Sequence, residues 1–485
     1  MTHVVVIGGG ISGLAAAERL ASFAGLESGA RVTLLESDTR LGGVIQTQRS
    51  DGMLLESGPD VILAAKPAGI AMIERLGLAD RIRTTRPEAK GSSILERGRL
   101  LPIPDGMSGV VPTKVRPFVS TKLLSWPAKI RVGAEYLLPP RAMGGDESVE
   151  SFIVRRLGRE MYERLIEPLM SGIFAGDGSQ LSINATFPQL VALEREHRGL
   201  VRGMLATRRR QAGSAAPARP TGLVSLENGL GELTGALERR LSSNNNIIIR
   251  KTARVQRLTR DSAGAFDATL ASGEAVHADA VIFAMPAHAA SALARDLDGE
   301  LARELSEISY ASTVTVNIAF RAADVPTPLR GTGYTVPRIQ GRPVLACTFV
   351  SSKFAGRAPA DVALFRAFLG GAGRSEFASR SDDDIVSIVR AELHEVLGVA
   401  AEPRLVQINR FERVMAQYNL GHLERVARID RRVATVPGLA LAGNGYRGVG
   451  IPDCIASGQR AADAVLAVLA ARASVRASVP LPVAS

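Results

Sequence analysis

The amino-acid sequence predicts an α/β fold: a parallel-sheet domain assembled from discontinuous segments, with an α+β domain inserted between them. Three observations predict it. A short apolar strand opens the chain and runs into a glycine-rich turn and a helix. A second strand, turn and helix of the same kind recurs near the C-terminus. Between them lies more chain than one core holds, since 485 residues correspond to about three units of roughly 150 residues, or two large ones.

The elements follow in order. Residues 4–7 (VVVI) form an apolar run suited to a buried parallel strand. Gly8-Gly9-Gly10-Ile11-Ser12-Gly13 comes next, and Leu14, Ala17, Leu20 and Ala21 continue at helical spacing. Gly8 permits the tight turn, Gly10 lets backbone approach a pyrophosphate, and Gly13 lets the helix pack on the strand. The helix start at Ile11 and Ser12 offers unpaired N–H groups and a positive dipole end. Residues 31–35 form a second strand ending in Glu36, placed to accept hydrogen bonds from a ribose diol. Strand, glycine turn, helix and acid together predict a dinucleotide site of Rossmann type.

Two later features extend the ligand. Leu41-Gly42-Gly43 brings a second backbone stretch to the same pyrophosphate. Residues 439–442 read as another buried strand, which leads through Gly443-Asn444 and Gly448-Val449-Gly450-Ile451-Pro452 into a helix from about Asp453. A cofactor touched by both ends of the chain is long and stays bound, as FAD is. A helix start beside the flavin N1 and O2 would stabilise the reduced anion. The alternative for the late glycines is a plain strand-to-helix turn. In the middle of the chain, residues 247–249 and 254–258 read as strands, 262–266 as a hairpin turn, and 280–284 as a buried strand stopped by Pro286.

Composition bounds the function. Apolar residues make up 46% and charged residues 22%, so an extensive core is affordable without disulfides or structural metals, and disorder is excluded. The net charge of +11, from 59 basic against 48 acidic residues, asks for an anionic partner. Aromatics are only 4% and no basic helix or stacking platform stands out, so nucleic acid is not the expected partner. Cys347 and Cys454 are far apart and the six histidines show no ligand spacing, which predicts a reducing compartment and no metal site. No signal peptide is read at the N-terminus, and the late apolar run 464–471 is too short to span a bilayer. The expected location is cytoplasmic, with peripheral contact to the inner membrane face left open.

A set of motif blocks carries a resemblance. Glu167-Pro168-Leu169-Met170-Ser171-Gly172-Ile173-Phe174-Ala175-Gly176-Asp177 is followed by Leu181-Ser182 and Ala185-Thr186-Phe187-Pro188. Asp146-Glu147-Ser148-Val149 with Arg155-Arg156-Leu157-Gly158, Gln417-Tyr418 with Gly421-His422, and the run from Gly443 to Asp453 complete the set. Taken in chain order, over nearly the whole chain, they resemble the FAD-dependent porphyrinogen oxidases of haem biosynthesis. The resemblance implies a Rossmann-like FAD-binding domain, a porphyrinogen substrate and molecular oxygen as acceptor, with hydrogen peroxide released and ferrochelatase as a candidate partner. Gly58-Pro59-Asp60, Pro102-Ile103-Pro104-Asp105-Gly106, Val111-Pro112-Thr113-Lys114 and Ala346-Cys347-Thr348-Phe349 are similar to the branch that oxidises coproporphyrinogen III. The protoporphyrinogen branch is the alternative, and a non-catalytic flavoprotein that delivers porphyrin is the alternative of another class. Phe411 and Ala416 depart from the family pattern at the expected flavin wall.

The expected organisation assigns 1–85, 216–295 and 411–470 to FAD binding, 86–215 and 296–410 to the substrate domain, and 471–485 to a flexible tail. Residues 207–221 are expected to be disordered. Cofactor contacts are expected from Gly8, Gly10, Ile11, Ser12, Gly13, Glu36, Gly42, Gly43, Gly58, Pro59, Asp60, Asn444, Val449, Gly450 and Ile451. In families of this type a valine such as Val255 holds the adenine edge through its backbone, a plain core-strand valine being the alternative. Asp60 is the candidate for accepting a pyrrole N–H or assisting proton removal, a turn-stabilising role being its alternative. Lys66 is the candidate for a substrate propionate, or else a solvated loop lysine. Ile173 is the candidate for packing on the ring face, or else a core isoleucine. Arg208–Arg210 are expected in a solvated loop, and Trp126 is read as a buried aromatic, with a membrane-surface role as the alternative.

Overall fold

The computed structural model describes residues 2–22, 31–108, 111–112, 114–141, 144–211 and 222–478. Its first sheet has five strands in the order Ile247–Arg250, Arg31–Leu35, His3–Ile7, Ala280–Phe283 and Leu439–Leu441, all parallel. A parallel sheet buries both faces, and the alternation along His3–Ile7 shows how. Val4 and Val6 pack with Leu14 and Ile455 on one side, while Val5 and Ile7 pack with Leu258 and Phe266 on the other. The first face carries the helices Ile11–Ala21 and Ile451–Ser478. The second carries the antiparallel sheet of Val255–Arg260, Phe266–Leu270 and Ala275–Ala278.

The two helices of the first face meet at backbone distance. A Cβ on Gly458 would lie 2.1 Å from the Ser12 carbonyl oxygen, so only glycine allows the first and last helices to pack this closely. A 24-residue stretch of the last helix is long and apolar enough to cross a bilayer by length and composition. In this fold its apolar residues Ile455, Ala462 and Val465 lie in the core instead.

The second sheet has seven strands, ordered Leu405–Ala416, Tyr310–Arg321, Val362–Gly370, Ala346–Phe349, Gly333–Thr335, Ser93–Glu96 and Arg99–Pro102. Successive side chains of a strand face opposite ways. Val314, Val316, Ile318 and Phe320 therefore enter one core with Phe365 and Leu369. Thr315 and Asn317 face the hairpin strand Met53–Glu56 of the N-terminal segment and its continuation. Thr315 Oγ1 donates to Ser57 O at 2.6 Å, and Asn317 Nδ2 donates to Glu56 O at 3.1 Å.

A helical layer over residues 115–211 surrounds a third core built on Phe152, Leu165, Met170 and Phe174. Inside it, Arg156 and Glu135 form a fully buried ion pair. Glu135 also accepts the N–H groups of Leu200 and Val201 at 2.7 and 3.0 Å, at the start of the helix Leu200–Gln211, and Arg156 Nη1 donates to Pro139 O at 3.0 Å.

Several expectations are corrected. Trp126 is not buried: it is 64% exposed at the first position of the helix Trp126–Ala134, and Ile130, one turn on, is 68% exposed. Residues 207–211 are helical rather than disordered, while 212–221 lie outside the described residues. The side chains of Arg208–Arg210 lie outside them as well. The expected tail is helical to Ser478, because the last helix continues through alanine-rich sequence with no glycine or proline to stop it, and 479–485 lie outside the described residues. The boundary drawn at 411 falls within the strand Leu405–Ala416, which belongs to the seven-stranded sheet.

Candidate cofactor and active site

The glycine turn is shaped by contacts that exclude side chains. Gly8 has φ +110° and its N–H donates to Leu35 O at 2.8 Å. A Cβ on Gly13 would sit 1.8 Å from the Gly8 carbonyl oxygen. Gly10 is different. It caps the helix in an ordinary extended conformation, φ −68° and ψ 177°, and a Cβ there would meet no heavy atom within 4 Å. The space above Gly10 is therefore an open cradle at a helix start, where the first-turn N–H groups, those of Ile11 and Ser12 among them, have no intrahelical acceptor. Gly42 and Gly43 form its other wall. Gly42 pairs with Gly10 as a parallel bridge, Gly42 N–H donates to Gly9 O at 2.8 Å, and a Cβ on Gly43 would come within 3.2 Å of Gly10 Cα. A diphosphate fits such a site, so these residues fit the FAD pyrophosphate.

Glu36 closes one end. Its Oε2 accepts from Gly9 N–H at 2.6 Å, and its Oε1 accepts from Asp38 N–H at 2.8 Å. Its backbone O accepts from Ala253 N–H at 2.7 Å, which brings the start of the strand Val255–Arg260, and with it Val255, to the Glu36 end.

At the other end the two chain termini converge. Gly450 precedes the last helix, which starts at Ile451 rather than at Asp453, and Asp453 Oδ2 accepts from Gly450 N–H at 3.2 Å, as an acid three residues into a helix does. The same oxygen binds Lys66 Nζ at 2.5 Å. Val449 packs on the core that contains Met170 and Phe174, and so joins the cofactor segment to the helical layer. The Asn444 side-chain amide donates to Val414 O at 2.8 Å, and the Asn444 backbone carbonyl accepts from the Tyr418 hydroxyl at 2.7 Å. The Cys454 thiol, buried against Ser12, is pushed up to about 12 and is inert as a nucleophile.

Gly58 packs against Val44, where a Cβ would lie 2.0 Å from the Val44 carbonyl oxygen and 3.7 Å from the Phe411 ring. Pro59 and Asp60 are thus delivered beside the Gly42-Gly43 loop. Asp60 is corrected as a proton acceptor. Its carboxylate is clamped by Lys353 Nζ at 2.7 Å and Arg366 Nη2 at 2.8 Å, and these cations outweigh its burial and hold it well below the usual carboxylate range. Lys66 is already paired with Asp453, though half-exposed. Ile173 is not a core residue: on the helix Glu167–Phe174 it stands 54% exposed while Met170 and Phe174 are buried. Lys353, Arg357 and Arg366 escaped the sequence reading. Single basic residues without a motif, they are brought to Asp60 only by the register of the second sheet and the turn before it.

His422 stacks on Tyr418 with ring centroids 4.1 Å apart, and its Nε2 lies 2.9 Å from Tyr446 O, as an N–H donor to that carbonyl. Burial lowers its pKa from 6.5 to about 4. Between these values the unfolded chain binds the proton and the folded one does not, so stability falls as pH drops from about 6.5 to about 4, by up to roughly 3 kcal/mol. Urea midpoints at pH 7 and pH 4.5 check this: the decline should be visibly smaller in His422→Phe than in the unmodified chain.

Comparisons with known proteins agree with this geometry. The family model for flavin containing amine oxidoreductases matches residues 11–466. The coproporphyrinogen III oxidase of Propionibacterium freudenreichii is 36% identical, over 97% of this chain and 92% of its own. That of Bacillus subtilis is 35% identical, over 96% and 98%. A crystal structure from Exiguobacterium sp. 255-15, assigned to the protoporphyrinogen oxidases, superposes with TM-score 0.83 at 33% identity, covering 96% of this chain and 98% of that one.

Proposed function

Since the chain belongs to the porphyrinogen oxidases of the flavin-containing amine oxidoreductase family and is an FAD-dependent oxidoreductase, we propose that it oxidises coproporphyrinogen III to coproporphyrin III with oxygen as acceptor. The observation that carries this reading is the near full-length identity to two bacterial enzymes named for that substrate. The neighbour from Exiguobacterium favours protoporphyrinogen IX as the second reading.

When bound, the flavin supplies a hydride acceptor that oxygen reoxidises. The protein supplies position. In this reading 1–85, 216–295 and the chain after the strand Leu405–Ala416 bind FAD, and the remaining segments hold the macrocycle. Backbone N–H groups at Ile11 and Ser12 bind the pyrophosphate, Glu36 takes the ribose, Val255 the adenine edge, and Asn444 to Ile451 flank the flavin. Ile173, exposed beside a buried helix face, packs on the ring. Lys66 exchanges Asp453 for a propionate, a switch that costs little because an exposed ion pair contributes only about 0–1 kcal/mol.

The test is anaerobic. Coproporphyrinogen III added to the yellow holoenzyme should bleach the flavin band, and faster than protoporphyrinogen IX does. No bleaching with either overturns the enzymatic reading, and faster bleaching by protoporphyrinogen IX moves the substrate to the second reading.

A further inference from the structure

Asp60 is held at the seam between the two sheets by more positive charge than its role as a turn residue requires. Lys353 binds one carboxylate oxygen and Arg366 the other. Arg366 also donates to Gly58 O at 2.9 Å, which fixes the backbone ahead of Pro59. Lys353 and Arg366 are 7% and 3% exposed, whereas 17% of the Asp60 side chain stays accessible. Behind them is a cavity of ≈ 10 Å³, about one water in size, lined by the same three residues together with Glu56, Asn317 and Arg357. The charged neighbours of Asp60 are thus Lys353, Arg357, Arg366 and Glu56. Glu56 is pushed up by burial, and its carboxylate accepts from Thr47 Oγ1 and Leu230 N–H. Desolvating these groups costs several kcal/mol each. A carboxylate has about four acceptor positions, and the two clamp bonds leave the others free.

We propose that Asp60, clamped between Lys353 and Arg366, is a permanent hydrogen-bond acceptor that discriminates the reduced macrocycle from its oxidised product. This rests on the porphyrinogen reading of the pocket. A porphyrinogen carries four pyrrole N–H groups. Its oxidation removes six hydrogens, four from the bridging carbons and two from nitrogen, as three hydrides to the flavin and three protons. Three molecules of oxygen take up the electrons and protons as three of hydrogen peroxide. Asp60 takes none of the protons. It accepts N–H groups from the substrate; the porphyrin keeps only two of the four and presents two imine lone pairs in place of the others, which Asp60 repels. The chemistry that consumes the donors thereby weakens the product's hold. Lys353 and Arg366 are positioning residues in this scheme: they keep Asp60 an anion.

Binding of coproporphyrin III to the oxidised holoenzyme, followed by quenching of porphyrin fluorescence, tests this without turnover. Asp60→Asn, whose amide donates to an imine nitrogen, should bind the porphyrin at least about tenfold tighter, the ratio one good hydrogen bond exchanged for a repulsion supports. Lys353→Met should acquire a binding that tightens as pH falls relative to the unmodified enzyme, and Lys353→Arg should restore the flat difference. Unchanged porphyrin affinity in Asp60→Asn, or a Lys353→Met profile parallel to that of the unmodified enzyme, overturns the proposal. Because flavin bleaching by the porphyrinogen is scored separately on the unmodified enzyme, a failure here leaves the assignment of substrate standing.

Discussion

Replacing Gly10 by valine is expected to yield a folded but colourless protein. The φ of −68° suits any residue, and the new Cβ meets no protein atom, so the substitution leaves the fold nearly unperturbed. Its methyl groups instead occupy the cradle between the first helix and Gly42-Gly43, and a diphosphate no longer reaches the N–H groups beneath. The purified variant should match the unmodified apoprotein in thermal midpoint while holding less than about a tenth of the flavin per chain, a loss equivalent to at least roughly 1.4 kcal/mol of binding. Flavin retained at one per chain would remove the cradle from the cofactor site. Gly13→Val separates the two effects: its Cβ collides with the Gly8 carbonyl oxygen, so that variant should lose the fold along with the colour.

A large effect on stability is also expected from Glu135→Ala. The substitution leaves the Arg156 guanidinium, which has no solvent-exposed surface, with only the more distant Glu194 carboxylate at 3.5 Å and backbone carbonyls as partners, and strips two N–H groups at the start of the helix Leu200–Gln211 of their acceptor. Breaking one partner out of a buried pair typically costs about 3–5 kcal/mol. Chemical denaturation should show this as a lower midpoint, and Arg156→Met with Glu135→Leu should recover much of it, because a packed apolar pair needs no desolvation. A loss of unfolding free energy in Glu135→Ala below about 1 kcal/mol would mean that water or Glu194 takes over the pairing of Arg156.

The cofactor half of the molecule was largely legible in the sequence, since each of its features is local. The turn at Gly8, the crowding at Gly13, the acid at Glu36 and the glycine turn ahead of the last helix are all written within a few residues of one another or of a recognisable strand. The clamp on Asp60 was not, because its three members come from three stretches of chain and meet only through the strand pairing of Tyr310–Arg321 with Val362–Gly370 and the packing of Met53–Glu56 on that sheet. Trp126 was misread for a related reason. Burial is a property of what packs opposite, and an aromatic in Leu123-Leu124-Ser125-Trp126-Pro127 looks the same whether the helix turns it inward or out. The bounds of the last helix were misplaced at both ends: Asp453, taken as its start, is an acid inside its first turn, and nothing in its alanine-rich end marks a stop.

The contact of Gly458 with Ser12, and the pairing of Ala280–Phe283 with Leu439–Leu441, also fix a timetable. Ribosomes deliver about 5–20 residues per second, so the strand His3–Ile7 waits on the order of tens of seconds before the sheet's last strand and its covering helix exist. During synthesis the nascent N-terminal half exposes an apolar helix face that only the final residues cover. The parallel sheet and its covering helices therefore cannot close until Leu439–Leu441 and the helix Ile451–Ser478 have been made.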